Sequence, residues 1–204
     1  MPTLVYDPLV EKHLIDERRR NGLDRWDEVW EGAYVIMPSP NDEHQDILDN
    51  LVIVLKPLIQ TTGLGVVRST INVSDRFSDW KLNFRIPDLA IFLKGSSAEN
   101  CGTHWYGGPD FTIEIVSPGD RSREKLAFYE SIGTKELLLI DRDPWQLELF
   151  RLSDGGLQSV GTSSVKTVRE VESQTLPLTW SLLAGDSRPQ IIVRHVSTNE
   201  QWQV

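Results

Sequence analysis

Phe111-Thr112-Ile113-Glu114-Ile115-Val116-Ser117-Pro118, FTIEIVSP in one-letter code, is the stretch whose reading decides the fold. Aromatic and β-branched side chains dominate it, the composition of a buried strand. A glutamate nevertheless stands in its middle, and a carboxylate taken out of water without a partner is expensive. Glu114 therefore needs a proton, donors from backbone or tyrosine, or a cation beside it.

Working outward, the two-residue period of a strand puts Thr112, Glu114 and Val116 on one face, and Asp88, Ala90 and Phe92 on one face of the earlier run FRIPDLAIFL. Each run carries one acid among apolar neighbours. If the two strands pair, Asp88 and Glu114 lie close together, and their repulsion is relieved by protonation of one or by a divalent cation. Oxygen donors of this kind suit Mg²⁺ or Mn²⁺. Pro87-Asp88 is also ordinary turn chemistry. Downstream, residues 120–132 return to helical spacing, with Lys125, Tyr129 and Ile132 at i, i+4 and i+7. A lysine stem on that stripe either runs along the sheet and presents its ammonium to the carboxylates or flanks the stripe and reaches solvent.

The remaining elements follow from the same periodicities. PLVEKHLIDERRRN, residues 8–21, reads as a helix ended by Gly22. DEVWEGAYVIMPSP suggests a strand pair, and residues 41–60 a packed helix capped by Asn41 or Asp42 and bent or interrupted near Pro57. GVVRSTINVS and ELLLID read as strands, and GSSAENCGTHWYGG as a glycine-rich loop. WQLELFRL, GLQSV, QTLPLTW and QIIVRHV read as short strands joined by turns such as Asp154-Gly155-Gly156. The order implies an α/β or α+β fold around one mixed sheet.

The chain of 204 residues, 39% hydrophobic and 25% charged, is long enough for one substantial core and is expected to form a single domain over 1–204. Apolar runs are too short to cross a bilayer and the N-terminus lacks the order of a signal peptide, so a soluble cytoplasmic protein without membrane contact is expected. One cysteine, Cys101, excludes an internal disulfide, and no spaced Cys/His set suggests zinc. The net charge of −9 disfavours non-specific coating of nucleic acid, while leaving room for a compact basic groove. Clusters such as ERRR at 17–20 and DRSREK at 120–125 are usually solvated helix faces.

Pro87-Asp88 followed by the strand glutamate resembles the core of the PD-(D/E)XK nucleases. More closely, EGAYVIMPSPNDEH, RIPDLAIF, IEIVSPGDRSREKLAFYESIG and KELLLIDRD resemble the Uma-two family of restriction-endonuclease-like proteins over roughly residues 25–150. The position two after the strand glutamate, lysine in the superfamily pattern, is Val116 here; the resemblance implies that the lysine has moved to the next helix as Lys125. The spacer before Lys125 is also shorter than is common in the family and lacks its usual acidic residue. Glu28 and His44 match family positions where an auxiliary acid and an imidazole face the site, though a helix-start histidine is as readily bonded locally.

The resemblance implies a restriction-endonuclease-like core of about 25–150 with a central mixed sheet flanked by helices, extended by C-terminal strands over 151–196. It implies metal-dependent hydrolysis of DNA phosphodiesters with no organic cofactor: Asp88, Glu114 and the carbonyl of Ile115 hold Mg²⁺ or Mn²⁺, Lys125 orients water or stabilises the pentacovalent charge, and Arg121 and Arg123 contact phosphates. A homodimer is expected, because enzymes of this size that cut both strands commonly pair two sites about a two-fold axis. Two rivals stay open. One is a nuclease fold without turnover, acting as a binding or regulatory module, which the acidic balance favours. The other is a glycosidase using paired carboxylates, which Lys125 and the scarcity of aromatic residues in the motif region weaken.

Overall fold

The structure is a computed structural model that describes residues 8–117 and 121–204. Pro118 of the opening stretch, Asp120 of the expected second helix and the first seven residues lie outside the described residues. In chain order the elements are α1 (Pro8–Arg20), β1 (Glu28–Trp30), β2 (Ala33–Val35), α2 (Asp42–Leu55) and a π-helical turn (Lys56–Thr61). β3 (Gly65–Ser69), β4 (Val73–Ser74), a 3-10 turn (Trp80–Leu82), β5 (Phe84–Arg85), β6 (Leu89–Leu93), β7 (Glu99–Asn100), β8 (Trp105–Tyr106) and β9 (Phe111–Val116) come next. After a 3-10 turn (Ser122–Lys125) come α3 (Leu126–Ser131), β10 (Glu136–Arg142), β11 (Trp145–Ser153) and β12 (Gly156–Ser164). β13 (Val171–Glu172), β14 (Leu178–Leu183), β15 (Gln190–His195) and β16 (Gln201–Gln203) complete the chain.

This is a mixed α+β fold with few helices. Its central sheet runs β12-β11-β10-β9-β6-β3, antiparallel except for the parallel pair β9/β10. That parallel pair requires a crossover, and the segment carrying Lys125 and α3 supplies it. A second sheet, β2-β1-β5-β4-β8-β7, brings the first hairpin beside the central strands, and an antiparallel sheet β13-β14-β15-β16 closes the C-terminal part.

The alternation read in β9 serves two cores. Phe111, Ile113 and Ile115 pack with Ile47, Leu51 and Leu55 of α2 and with Leu178, Trp180 and Ile191 of the C-terminal sheet. On the other face lie Tyr129, Phe128, Leu137 and Leu139, beside which Glu114 is buried. The C-terminal strands thus share the principal core, and Phe111 stacks on Trp180 with ring centroids 5.8 Å apart. A buried carboxylate ties them down further: Glu136 accepts from Arg151 Nε at 2.7 Å, from the N–H groups of Gln174 and Thr175 at 3.0 Å, and from the Ser173 hydroxyl.

In α2 the Asn41 side chain accepts from His44 N at 3.0 Å, capping the helix, and the α-pattern stops where Pro57 has no N–H to continue it. Asn41→Ala should lower stability by about 1 kcal/mol, read as a fall of about 2–4 °C in Tm.

Three local expectations are corrected. The glycine-rich loop at 95–108 holds β7 and β8, whose side chains lack any periodic signal because each strand is two residues long. The helix expected over 120–132 is a 3-10 turn followed by a six-residue α-helix. The strands do not end at residue 196, since β16 pairs with β15 through Val193 and Trp202. Among the described residues no helix is long and apolar enough to cross a membrane.

Candidate active site

Register brings the two acids together. Leu89 of β6 pairs with Ile113 of β9, so Asp88, one residue before β6, stands alongside Glu114. Asp88 Oδ2 accepts the Ile115 N–H at 2.7 Å, and its Oδ1 lies 3.1 Å from His44 Nε2. His44 occupies the first turn of α2 and is buried; its Nδ1 has no protein partner. The carbonyl of Ile115 was the expected metal donor, whereas the contact seen at this residue is its N–H.

Lys125 points inward. With only 2% of its surface exposed, its Nζ lies 2.9 Å from Glu28 Oε1 and 3.2 and 3.1 Å from the two oxygens of Glu114. Tyr129, one helical turn on, donates its hydroxyl to Glu114 Oε1. Glu28 is held in turn by the Ile86 N–H at 2.8 Å and by Trp30 Nε1 at 2.6 Å. Five residues singled out from sequence, Glu28, His44, Asp88, Glu114 and Lys125, thus line one pocket of about 60 Å³, room for a few waters.

The charges in this pocket do not balance. Burial pushes the Glu114 carboxyl up to about 8; Lys125 opposes that shift, and the neighbouring Asp88 and Glu28 add to it. Burial alone would lower the Lys125 pKa, but the fields of Glu114 and Glu28 outweigh it and hold the ammonium charged. Tyr129 is raised well above 10 by burial and by Glu114, so it stays a donor. Three carboxylates surround one ammonium, with the buried Arg85 guanidinium acting on Glu28 from farther off, and Glu114 compensates by keeping a proton near neutrality. A hard divalent cation would supply the missing positive charge, and the oxygen donors suit Mg²⁺ or Mn²⁺. Among the described residues no set of three or more His, Cys, Asp and Glu is arranged to hold a metal; the carboxylates that line the pocket are those of Glu28, Asp88 and Glu114.

The sign of the pH effect follows. A Glu114 pKa raised from about 4.5 to about 8 on folding stabilises the fold fully below 4.5, and that contribution is lost as pH rises to 8. Glu114→Gln, which does not titrate, should therefore gain on the wild type between pH 5 and 8 in a chelating buffer. The gain expected exceeds about 1 kcal/mol, and denaturant titrations at the two pH values would measure it.

Arg121 and Arg123 do not join the pocket. Arg121 forms an ion pair with Glu124 and lies 4.6 Å over the Trp30 ring, while Arg123 bridges Asp141 and Glu148 at 2.6 and 2.7 Å. Any phosphate contact by either must compete with carboxylates already bound. Sequence reasoning missed several contributors. The hydroxyl role of Tyr129 was legible in principle, since it falls one turn after Lys125. Arg142 is buried and joins the Asn41 cap and Glu43 to Ser117 and the Val116 carbonyl, and Arg85 is stacked against Trp30 and Phe128; no spacing signals either.

Comparison with known proteins bears on the same region. The family described as "Uma2: Putative restriction endonuclease" matches residues 16–185. Among solved structures, that of a putative nuclease belonging to DUF820 from Anabaena variabilis superposes with a TM-score of 0.57 at 19% identity, covering 72% of this chain and 81% of that one. At such identity the likeness speaks for the shared fold. No curated protein matches.

Proposed function

The chain belongs to the Uma2 family of restriction-endonuclease-like proteins, and from that premise we propose that it is a cytoplasmic, metal-dependent endonuclease that hydrolyses phosphodiester bonds of DNA. The observation that carries the reading is the buried Lys125 ammonium within 3.2 Å of Glu114, beside Asp88 and Glu28, on a helical crossover rather than on the strand. Asp88, Glu114 and the Ile115 carbonyl would hold Mg²⁺ or Mn²⁺, which when bound supplies a Lewis acid that acidifies water and polarises the scissile phosphate.

The protein groups do the positioning. Lys125, fixed between two carboxylates, aligns the attacking water and faces the negative charge that grows on the phosphoryl oxygens. Glu28 keeps that ammonium protonated and oriented. His44 restrains the Asp88 carboxylate from the side opposite the Ile115 N–H. Tyr129 fixes the rotamer of Glu114 by occupying Oε1.

Nicking of supercoiled plasmid in Mg²⁺ or Mn²⁺, abolished by a chelator, is the expected result. Both oxygens of Glu114 are already engaged by Lys125 and Tyr129, and that observation favours a second reading, a nuclease fold that binds without turnover. Plasmid left intact at high enzyme with either metal would decide for it. A homodimer pairing two such sites belongs to the same proposal, and light scattering that gives a 23.2 kDa particle at all concentrations would remove it.

A further inference from the structure

The pocket has two chemically different sides. The acids and Lys125 form one; Trp26, Met37, Pro38, Pro40 and Ile86 line the other. Trp26 is half-buried, and the guanidinium of exposed Arg25 lies 4.7 Å over its ring. This apolar wall is a built feature. Asp27, 4% exposed, accepts from Arg18 at 2.6 and 2.8 Å, from the Tyr34 hydroxyl at 2.6 Å and from the Met37 N–H at 2.9 Å. One buried carboxylate thereby fixes the backbone next to Trp26 against the segment that carries Met37.

The cations around the pocket point the same way. Arg121, Arg123 and Arg142 are paired with Glu124, with Asp141 and Glu148, and with Glu43 respectively. Duplex binding draws its affinity from Lys and Arg placed against phosphates, and on a chain of net charge −9 these three are already committed to carboxylates. An unpaired strand offers something a duplex conceals, the faces of its bases, which stack on aromatic side chains whatever their identity. An indole with a guanidinium beside it, at the rim of a site for phosphate chemistry, matches a single nucleotide: a ring for the base and a cation for the adjoining phosphate.

We infer that an unpaired nucleotide lies across the mouth of this pocket, its base stacked outside it on Trp26 at the rim and its phosphate turned to the acidic side, so that the substrate is single-stranded or locally unpaired DNA. The inference rests on the nuclease reading of the site. Substrate choice then lies with Trp26, outside the residues that perform hydrolysis.

The test is fluorescence anisotropy with a labelled thymidine oligonucleotide of about 20 nucleotides and with its duplex, in Ca²⁺ so that neither is cut. The single strand should bind at least roughly tenfold more tightly, the scale of one base stacked on an aromatic ring. Its salt dependence should correspond to only about one or two phosphates. Trp26→Leu, which keeps apolar volume and loses the ring, should weaken the single strand by roughly tenfold and leave the duplex unchanged, whereas Trp26→Phe should stay within about threefold. A duplex that binds as tightly as the single strand overturns the inference, as does failure of the single strand to bind, or Trp26→Leu binding like wild type. Should Trp26→Leu fail to fold, judged by its melting curve, the wild-type ratio and Trp26→Phe decide alone. Trp26-dependent binding of the single strand with no cleavage in Mg²⁺ would sink the nuclease reading and leave the base site standing. Cleavage of single strand and duplex at equal rates, by wild type and Trp26→Leu alike, would do the reverse.

Discussion

Lys125→Ala should bind Mg²⁺ nearly as well as the wild type and cleave plasmid at least about 10²-fold more slowly, the scale of one lost and oriented electrostatic contact. The ammonium is buried between Glu28 and Glu114 at 2.9 to 3.2 Å, so its removal leaves two carboxylates without the cation that contacts them both. Glu114 would answer by holding its proton more firmly, so the metal titration is best run above pH 8. Lys125→Met, with similar length and no charge, separates loss of the ammonium from loss of packing. Val116→Lys is the complementary experiment. Val116 lies on the same face as Glu114, two residues on, and packs against the cluster around Phe128. If Lys125 carries the role, a lysine at 116 disturbs that packing and adds no rate. Activity restored to an inactive protein by Val116→Lys would instead mark the site as degenerate, and full activity in Lys125→Ala would pass the role to another group, His44 first.

Asp88→Asn and Glu114→Gln should each reduce cleavage by on the order of 10³-fold, the upper end for a single lost electrostatic group, and abolish specific Mn²⁺ binding in a calorimetric titration. Neither change should unfold the protein. Asn at 88 retains an oxygen for the Ile115 N–H and loses a negative charge beside Glu114. Gln at 114 retains an acceptor for Tyr129 and leaves Lys125 paired with Glu28. Melting temperatures at pH 8 in a chelator should therefore hold or rise. A steep fall in both variants would make the carboxylates structural, their hydrogen bonds outweighing their repulsion.

The fold was legible wherever a local period carried it. Strand alternation in FTIEIVSP and RIPDLAIF assigned faces to Glu114 and Asp88, and helical spacing brought Lys125 and Tyr129 onto one stripe. The family resemblance on those residues stands, as the match over 16–185 shows. Elements of two or three residues were harder: β7 and β8 have no period to read, and β16 lies after a turn in a polar tail. The DNA contacts expected of Arg121 and Arg123 rested on their place just before Lys125, and position along the chain cannot say which carboxylates stand across from a guanidinium. Glu148, which meets Arg123 of the 3-10 turn at 2.7 Å, comes from β11, 25 positions away.

Sequence alone thus determined which side chains share a face, because covalent geometry repeats every 2 or 3.6 residues and needs no distant partner. Which faces meet was a tertiary decision, made by burial of apolar surface over long separations. Glu28 reaches Lys125 because β1 pairs with β5 at the pocket wall, and His44 reaches Asp88 because Ile47, Leu51 and Leu55 seat α2 on the inner face of β9. The division of donors among the oxygens of Glu114, and the proton it keeps near neutrality, belong to that packing too, since desolvation exists only once the core has closed around the carboxylate.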